Sequence, residues 1–421
     1  MDTNKDHLLI SFADSGVPPN QKFLTSLYFF IQGIGSQLPQ QAVLSTLDFF
    51  KKQYPNAPLP VGFTFPGANS LSSTIIIFFM VLVSKRLSLN ARIAGSNYLL
   101  ILFLTSLPFL ASFFPGTAFG FWVSLFVLFM TGFFFTTANG SVAGLGALFP
   151  AEYRSKNAVG SGCAGIFTNV IRAIILTVVP ADSAKGEMVG VYIYYTISAV
   201  ILLLCIVSHY AFVRSDYAIQ ILSKDLDSSK YTEEDDLSNN TSGWGSIKES
   251  LGQLWEGFKE IKLLCVMMVI IMIQSSMVFP GLVFAKKIEP LEDAWKNTII
   301  LLICNVCDTI GKYGTLFRGI YSKNTPIYMA LFRISFYFIF ITTAITQSFP
   351  IIDENWFFFL SVVMLATSGG FSVGILNVMI PEYASEKRKE TSGFLGLMCL
   401  MGGATIGSYL SIPLASFLGI Q

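Results

Sequence analysis

The chain has 421 residues, of which 53% are hydrophobic and only 13% are charged. A soluble protein carries roughly 25% charged residues, so this chain has too little charge to cover a surface in water. Its apolar content also excludes a disordered chain, and a formal net charge of +1 provides no basic face for a nucleic acid. The composition therefore predicts a protein whose partner is the lipid bilayer, with no nucleic-acid partner.

The distribution of charge predicts how often the chain crosses the membrane, because one crossing helix needs about 20 apolar residues. The third charge-free stretch is long enough for two helices, which separate at Pro115 and Gly116. Three further apolar stretches contain charged residues. The sequence therefore predicts an all-α polytopic membrane protein with eleven transmembrane helices. The charge-free stretches are 23–47, 53–84, 93–151, 188–213, 263–285, 355–381 and 391–421, and the other three are 157–179, 297–317 and 327–349.

An acidic, polar segment divides these helices into two groups. We predict a cytoplasmic N-terminus at 1–22, a six-helix bundle at 23–213, an acidic linker at 214–260 and a five-helix bundle at 261–421. Within the linker, 247–258 has the pattern of an amphipathic helix. Lysine and arginine residues are three times as numerous in one set of alternate connecting segments as in the other. This bias places the N-terminus and the linker in the cytoplasm and the C-terminus on the opposite side.

Cysteine and histidine residues give no sign of a redox, metal or catalytic site. All six cysteines fall inside predicted spans, where a disulfide framework is not expected. Cys304 and Cys307 have the spacing of a redox pair, but we interpret that spacing as incidental in a lipid-embedded helix. The two histidines, His7 and His209, are too far apart in the sequence to indicate a metal site or a catalytic group. We therefore expect no cofactor, no metal and no enzymatic activity.

Polar residues deep in apolar spans are the candidates for function, because each is costly in a bilayer unless it is paired or hydrated. In the first span, Gln37 shares a helix face with Gln40 and Gln41, and we expect Pro39 to kink the helix. Hydrogen bonding between helices and the lining of a polar cavity both explain these glutamines. Asn139 in the fourth span either serves packing or offers its carboxamide to the edge of a heterocyclic base.

The eighth span contains the costliest of these residues. Asp308 is four residues before Lys312 and three residues after Asn305, so the three side chains share one side of the helix. Asp308 would hold a ligand, or it would form a structural ion pair with Lys312. Arg172 in the fifth span and Arg333 in the ninth are expected to be structural or gating partners rather than ligand contacts.

Several of these segments together resemble equilibrative nucleoside transporters. Each motif alone is weak, but their order and the eleven predicted spans are specific in combination. The resemblance covers nearly the whole chain except the linker, and it implies two helix bundles similar to the major-facilitator architecture. The matching segments are 29–39, 144–153, 160–165, Phe279-Pro280, Asn305…Asp308-x-x-Gly311-Lys312, Arg333, 370–371 and 390–393.

The resemblance implies a carrier that moves nucleosides or nucleobases by alternating access, with one central site between the bundles. It implies no bound cofactor, and both pure facilitation and proton coupling stay open. We expect a monomer in the plasma membrane rather than in an internal one. The candidate substrate-binding residues are Gln37, Gln40, Gln41, Leu44 and Asn139 towards the base, and Asn305, Asp308 and Lys312 towards the ribose or another polar edge.

The chain departs from the family pattern at three points. Gln40 and Gln41 stand where the family usually has Trp-Asn, so an aromatic stacking surface is lost. Asn139 replaces a glutamine, and Lys312 replaces an arginine whose planar fork would suit two parallel hydrogen bonds. We expect a preference shifted towards nucleobases or a different set of nucleosides. A major-facilitator-like carrier of sugars or amino acids, and a battenin-like lysosomal membrane protein, are alternative interpretations.

Overall fold

The first predicted span is divided between two helices, and a third short helix follows at its end. A computed structural model describes residues 18–83, 88–179, 184–223, 243–286, 288–289, 291–316, 322–345, 354–385 and 389–418. The first three helices are α1 (Pro19–Gly35), α2 (Leu38–Ser45) and α3 (Leu47–Gln53). Pro39 lies in the first turn of α2, where its missing N–H leaves no intrahelical bond unmade. The kink expected at Pro39 is therefore a complete break between two helices.

Long helices make up most of the remaining described chain, and no strand occurs in it. The predicted separation at Pro115 and Gly116 is confirmed, since the chain turns there and Gly116 has a φ of 68°. The first half continues with α4 (Val61–Val83), a π-helical turn (Ala91–Gly95), α5 (Ser96–Phe113), α6 (Ala118–Ala147), α7 (Ala151–Val178) and α8 (Ala184–Val213). The second half contains α9 (Gly243–Val278), α10 (Gly281–Ala285), α11 (Asp293–Tyr313), α12 (Thr325–Ile345), α13 (Asn355–Tyr383) and α14 (Lys389–Leu418).

Nine segments of the described chain are long and apolar enough to cross a membrane. The prediction of an all-α membrane protein is confirmed, while the count of eleven stays a prediction. The first predicted span is not among the nine because its helices are individually short. The eighth is not among them because α11 contains four charged residues, namely Asp293, Lys296, Asp308 and Lys312.

Helix α9 contains a bend at the place where the predicted linker ends. Ile261 has φ −114° and ψ 18°, so the helix axis breaks there. This break separates an amphipathic N-terminal part, which includes the predicted helix at 247–258, from the apolar part that follows. The rest of the acidic segment, 224–242, lies outside the described residues.

Small residues allow helix backbones to touch within each half. In the first half, Gly33 of α1 and Gly160 of α7 face each other, and a Cβ on either would overlap the backbone of the other helix. In the second half, Gly370 of α13 packs against the backbone of Asp308 in α11. Close backbone contact of this kind is how helices associate in lipid, where burial of apolar surface provides no driving force. The contact fixes the position of Asp308.

The two halves meet along two pairs of helices. Helix α4 packs on α14, where the hydroxyl groups of Thr74 and Thr405 lie 2.9 Å apart. Helix α7 packs on α11, where Gly165 leaves room for the side chain of Asn305. A cavity adjoins the second of these contacts, since Asn305 also lines it.

Candidate functional site

A cavity of about 210 Å³ lies at the junction of the two halves. Gln41 and Leu44 of α2 form its wall on the first half. The second half supplies the remaining wall, and Asp308 is the single carboxylate among the described lining residues. The lining from the second half is Met272, Ser275, Phe279, Leu301, Cys304, Asn305, Asp308, Arg333, Leu365, Ala366, Gly369 and Val373.

A pair of carboxamides joins the halves at this cavity. Gln41 Nε2 donates to Asn305 Oδ1 at 3.1 Å, and Asn305 Nδ2 donates to Gln41 Oε1 at 3.1 Å. The break before α2 is what places Gln41 here, because α2 starts a new helix after residue 37. On the far side of Asn305, a Cβ at Gly165 would overlap the amide group. Two side chains 264 residues apart are thus held edge to edge.

Asp308 faces the cavity and is paired with Lys312 on its own helix. Lys312 Nζ lies 2.6 Å from Asp308 Oδ2. The side chains are 51% exposed for Lys312 and 39% exposed for Asp308, so the pair is open rather than enclosed. Lys312 itself does not belong to the cavity lining. A carboxylate in this position can accept hydrogen bonds from a molecule in the cavity.

Arg333 contributes a buried positive charge to the cavity wall. Its Nη1 donates to the Leu365 carbonyl at 2.9 Å and to Ser368 Oγ at 2.8 Å, and its Nη2 donates to Ser275 Oγ at 2.6 Å. The guanidinium forms no salt bridge with any residue that the structure describes. It therefore ties α12 to α9 and α13 through neutral acceptors and leaves its charge beside the cavity.

Arg172 lies away from the cavity and pairs with a residue that the sequence did not single out. Arg172 Nη2 is 3.4 Å from Asp48 Oδ2, and both side chains are 1% exposed. Asp48 directly follows the charge-free stretch 23–47 and lies outside the first predicted span. In the structure it belongs to α3, which packs inside the first half. The pair is a structural contact between α3 and α7.

Besides Lys312, three predicted site residues lie apart from the cavity. Gln37 is the residue before α2, and its carbonyl accepts from the Gln41 N–H at 3.1 Å. Gln40 is half-buried and does not line the cavity. Asn139 faces a second cavity of about 10 Å³ between helices of the first half, together with Gln32 and Asn97. That volume holds about one water molecule.

The structure adds two hydroxyl groups that the sequence analysis missed. Ser275 and Ser368 both bind Arg333, and Ser275 lines the cavity. A signal for Ser275 existed in the run Gln274-Ser275-Ser276, which interrupts an otherwise apolar span. Ser368 gave none, because serine next to glycine is common at helix contacts in membranes.

The halves also meet at the end of the molecule where α3 ends and α4 begins. A Cβ on Gly281 of α10 would overlap the ring of Phe63 in α4. Nearby, Lys296 Nζ is 2.6 Å from Asp293 Oδ1 and donates to the Phe284 carbonyl at 3.1 Å. Burial, and then the ammonium of Lys296, lowers the pKa of Lys51, which lies beyond the predicted first span. Charged side chains of both halves therefore lie close together at this end of the molecule.

A sequence model of the nucleoside transporter family matches residues 125–415. The chain belongs to the nucleoside transporter family. Two relatives from Arabidopsis thaliana are similar to this family member over most of their length. Equilibrative nucleotide transporter 1 is 20% identical over 406 residues, which cover 94% of this chain and 86% of the relative. Equilibrative nucleotide transporter 8 is 20% identical over 390 residues, which cover 90% and 92%.

Solved structures show which fold this nucleoside transporter family member has. The D-xylose-proton symporter matches with a TM-score of 0.66 and 12% identity, covering 92% of this chain and 89% of that chain. The inward open xylose transporter XylE from E. coli gives 0.62 at 13% identity, with 92% and 89% covered. A mutant of the nucleoside transporter NupG gives 0.56 at 13% identity, with 93% and 92% covered. The predicted major-facilitator-like architecture is confirmed.

Proposed function

We propose that this protein carries nucleosides or nucleobases across a membrane by alternating access, with the cavity at Asp308 as its substrate site. The observation that carries the proposal is the composition of the cavity wall. Gln41 comes from the first half and Asp308 from the second, so a bound molecule would touch both. Carriers of this architecture bind at the junction of two halves that rock against each other. Membership of the nucleoside transporter family supports the substrate class.

The lining residues divide into polar and apolar roles. Asp308 would accept hydrogen bonds from ribose hydroxyl groups or from a polar base edge, with Lys312 holding the carboxylate in place. Gln41 and Asn305 would face the base, and Leu44 would pack against its plane. Gln37, Gln40 and Asn139 would reach a substrate only in another arrangement of the halves.

The two arginines would shape the site without binding the substrate. Arg333 holds three helices of the second half together at the cavity wall. Arg172 fixes α3 to α7 through Asp48. Lys312, a point charge where the family has arginine, would bind a ribose less tightly, which favours nucleobases.

The bias of basic residues supports an orientation with the N-terminus in the cytoplasm, and we place the protein in the plasma membrane as a monomer. The contact of Phe63 with Gly281 would then lie at the extracellular end and form a gate there. The same orientation makes 23–213 and 261–421 the two moving bundles and 214–260 their cytoplasmic linker. An epitope tag at 224–242 should be stained only in permeabilised cells, and staining of intact cells would overturn this orientation.

The test of the function is uptake into liposomes that contain the purified protein. Labelled uridine, adenosine and hypoxanthine should enter with saturable kinetics, and replacing sodium with choline should leave the rates unchanged, since no acidic cage for a cation is predicted beyond Asp308. Liposomes without protein provide the background. Uptake of xylose or amino acids in place of all three compounds would contradict the proposal.

A further inference from the structure

The carboxamides of Gln41 and Asn305 form a closed pair across the two halves. Each group donates one hydrogen bond to the other and accepts one from it, both at 3.1 Å. Both groups line the cavity and both side chains are half-buried. Among the described residues that line the cavity, this pair is the contact in which a side chain of one half binds a side chain of the other half.

Packing against Gly165 restricts movement of the Asn305 side chain away from Gln41. Gly165 of α7 lies directly behind the amide of Asn305, and even one added methyl group there would overlap the amide carbon, oxygen and nitrogen. Asn305 therefore keeps its hydrogen-bonding edge turned towards Gln41. The geometry of α7 and α11 fixes this edge before any ligand arrives.

Alternating access, as proposed above, would separate Gln41 from Asn305, because they belong to different halves. Each half-buried amide would then lose one donor and one acceptor contact, which is costly unless another partner replaces it. The cost disappears when another molecule supplies an adjacent donor and acceptor. A carboxamide offers that arrangement, and so do the lactam edge of hypoxanthine or uracil and the amidine edge of adenine or cytosine.

We propose that a substrate replaces one amide of the Gln41–Asn305 pair, so that the protein selects bases in which a hydrogen-bond donor and an acceptor are attached to the same carbon. This inference rests on the proposed function and adds which chemical feature of the substrate the protein recognises. In a lactam the ring nitrogen donates and the exocyclic oxygen accepts, whereas in an amidine the exocyclic amino group donates and the ring nitrogen accepts. Rotation of the protein carboxamide by half a turn exchanges its donor and its acceptor, so the same side chain can pair with either edge. Bases whose edge lacks the donor leave one amide group unpaired and are rejected.

Competition against the uptake of labelled uridine into liposomes tests the inference on the unmodified protein. Inosine and adenosine, in which the ribose on N9 leaves only the six-membered-ring edge with a donor and an acceptor, should compete. Purine riboside, which has no donor on this edge, and 1-methylinosine, whose donor is blocked, should need at least about tenfold higher concentrations. Thermal stabilisation of the purified protein by the same four compounds should follow the same order, and this second measurement does not depend on transport.

A double variant then locates the selectivity. Gln41→Met with Asn305→Leu removes both amides together at similar volume, so that neither is left unpaired. Stabilisation by inosine should fall towards that by purine riboside, so that the two compounds now differ by less than about threefold. Gln274→Met is the matched control, because Gln274 is a buried amide that donates to the Ala330 carbonyl at 2.8 Å and does not line the cavity. It should keep the full discrimination.

The outcomes separate this inference from the proposed function. If uridine enters but purine riboside and 1-methylinosine compete as well as inosine, the inference is overturned and the proposed function stands. The same holds if the double variant, by uptake or by thermal stabilisation, discriminates as the unmodified protein does. If the unmodified protein neither transports nor binds any of these compounds, the proposed function fails and the inference fails with it.

Discussion

Two ion pairs in this protein consist of the same kinds of groups in opposite surroundings. Asp48 and Arg172 are both 1% exposed, with 3.4 Å between their nearest atoms. Asp308 and Lys312 are 39% and 51% exposed, with 2.6 Å between theirs. An enclosed pair cannot meet a substrate, whereas an open pair beside a cavity can. On this ground we assign the enclosed pair a structural role and propose the open pair beside the cavity as the binding group.

The largest effect is expected from breaking the enclosed pair. Arg172→Met leaves the carboxylate of Asp48 buried without its cation, which should reduce the free energy of unfolding by about 3–5 kcal/mol. The protein should then fail to accumulate, as measured by size-exclusion chromatography of a fluorescent fusion. Adding Asp48→Leu removes the stranded charge and should restore most of the folded protein. Normal accumulation of Arg172→Met would show that the pair contributes little.

The open pair should respond in the opposite way. Asp308→Asn should lower uptake at least about tenfold, because hydrogen bonds to a charged group are lost. Its melting temperature should stay close to that of the unmodified protein, since an exposed pair contributes about 0–1 kcal/mol. Lys312 is 51% exposed, so the loss of Asp308 does not leave an enclosed ammonium without a partner.

A second substitution decides the role of Asp308. Uptake by Asp308→Asn should not recover when Lys312→Gln is added, provided that both proteins reach the liposomes in equal amounts. Recovery of transport in the double variant would reject the substrate role and leave a structural ion pair.

Exchange of the two basic residue types gives a smaller effect and sharpens the comparison. Arg172→Lys should reduce the free energy of unfolding by about 1–3 kcal/mol, because a compact ammonium cannot replace the guanidinium in an enclosed site. Lys312→Arg should leave stability unchanged and raise the uptake of uridine relative to hypoxanthine, since a planar fork suits ribose oxygens. Rates for both substrates and thermal unfolding curves check the two variants. If Lys312→Arg lost stability, or if Arg172→Lys lost none, the distinction between an enclosed structural pair and an open binding pair would be wrong.

The smallest effect is expected at Asn139. Its side chain faces a water-sized cavity in the first half, away from Asp308. Asn139→Leu should therefore change uridine uptake by no more than about threefold, the effect of displacing one ordered water. A tenfold loss would place Asn139 at the substrate in another state of the transport cycle.

Much of the fold follows from local chemistry and was predictable. Long charge-free stretches can only be buried or in lipid, so the helices and the turn at Gly116 could be placed from the sequence. Pro39 predicts a kink in the first span, but the sequence does not reveal that the helix breaks completely there. Whether 38–53 would continue as one helix depends on packing with α7 and α8, which no local pattern reveals.

The candidate site was predictable in part. The sequence by itself determined that Asp308, Asn305 and Lys312 share a helix face, because helical spacing fixes neighbours three and four residues apart. It could not reveal that Gln41 meets Asn305, that Asp48 is the partner of Arg172, or that Asn139 turns away from the cavity. These relations join residues more than 100 positions apart in the chain. They are decided when whole helices dock, because the docking sets which polar groups lose water and must find a partner.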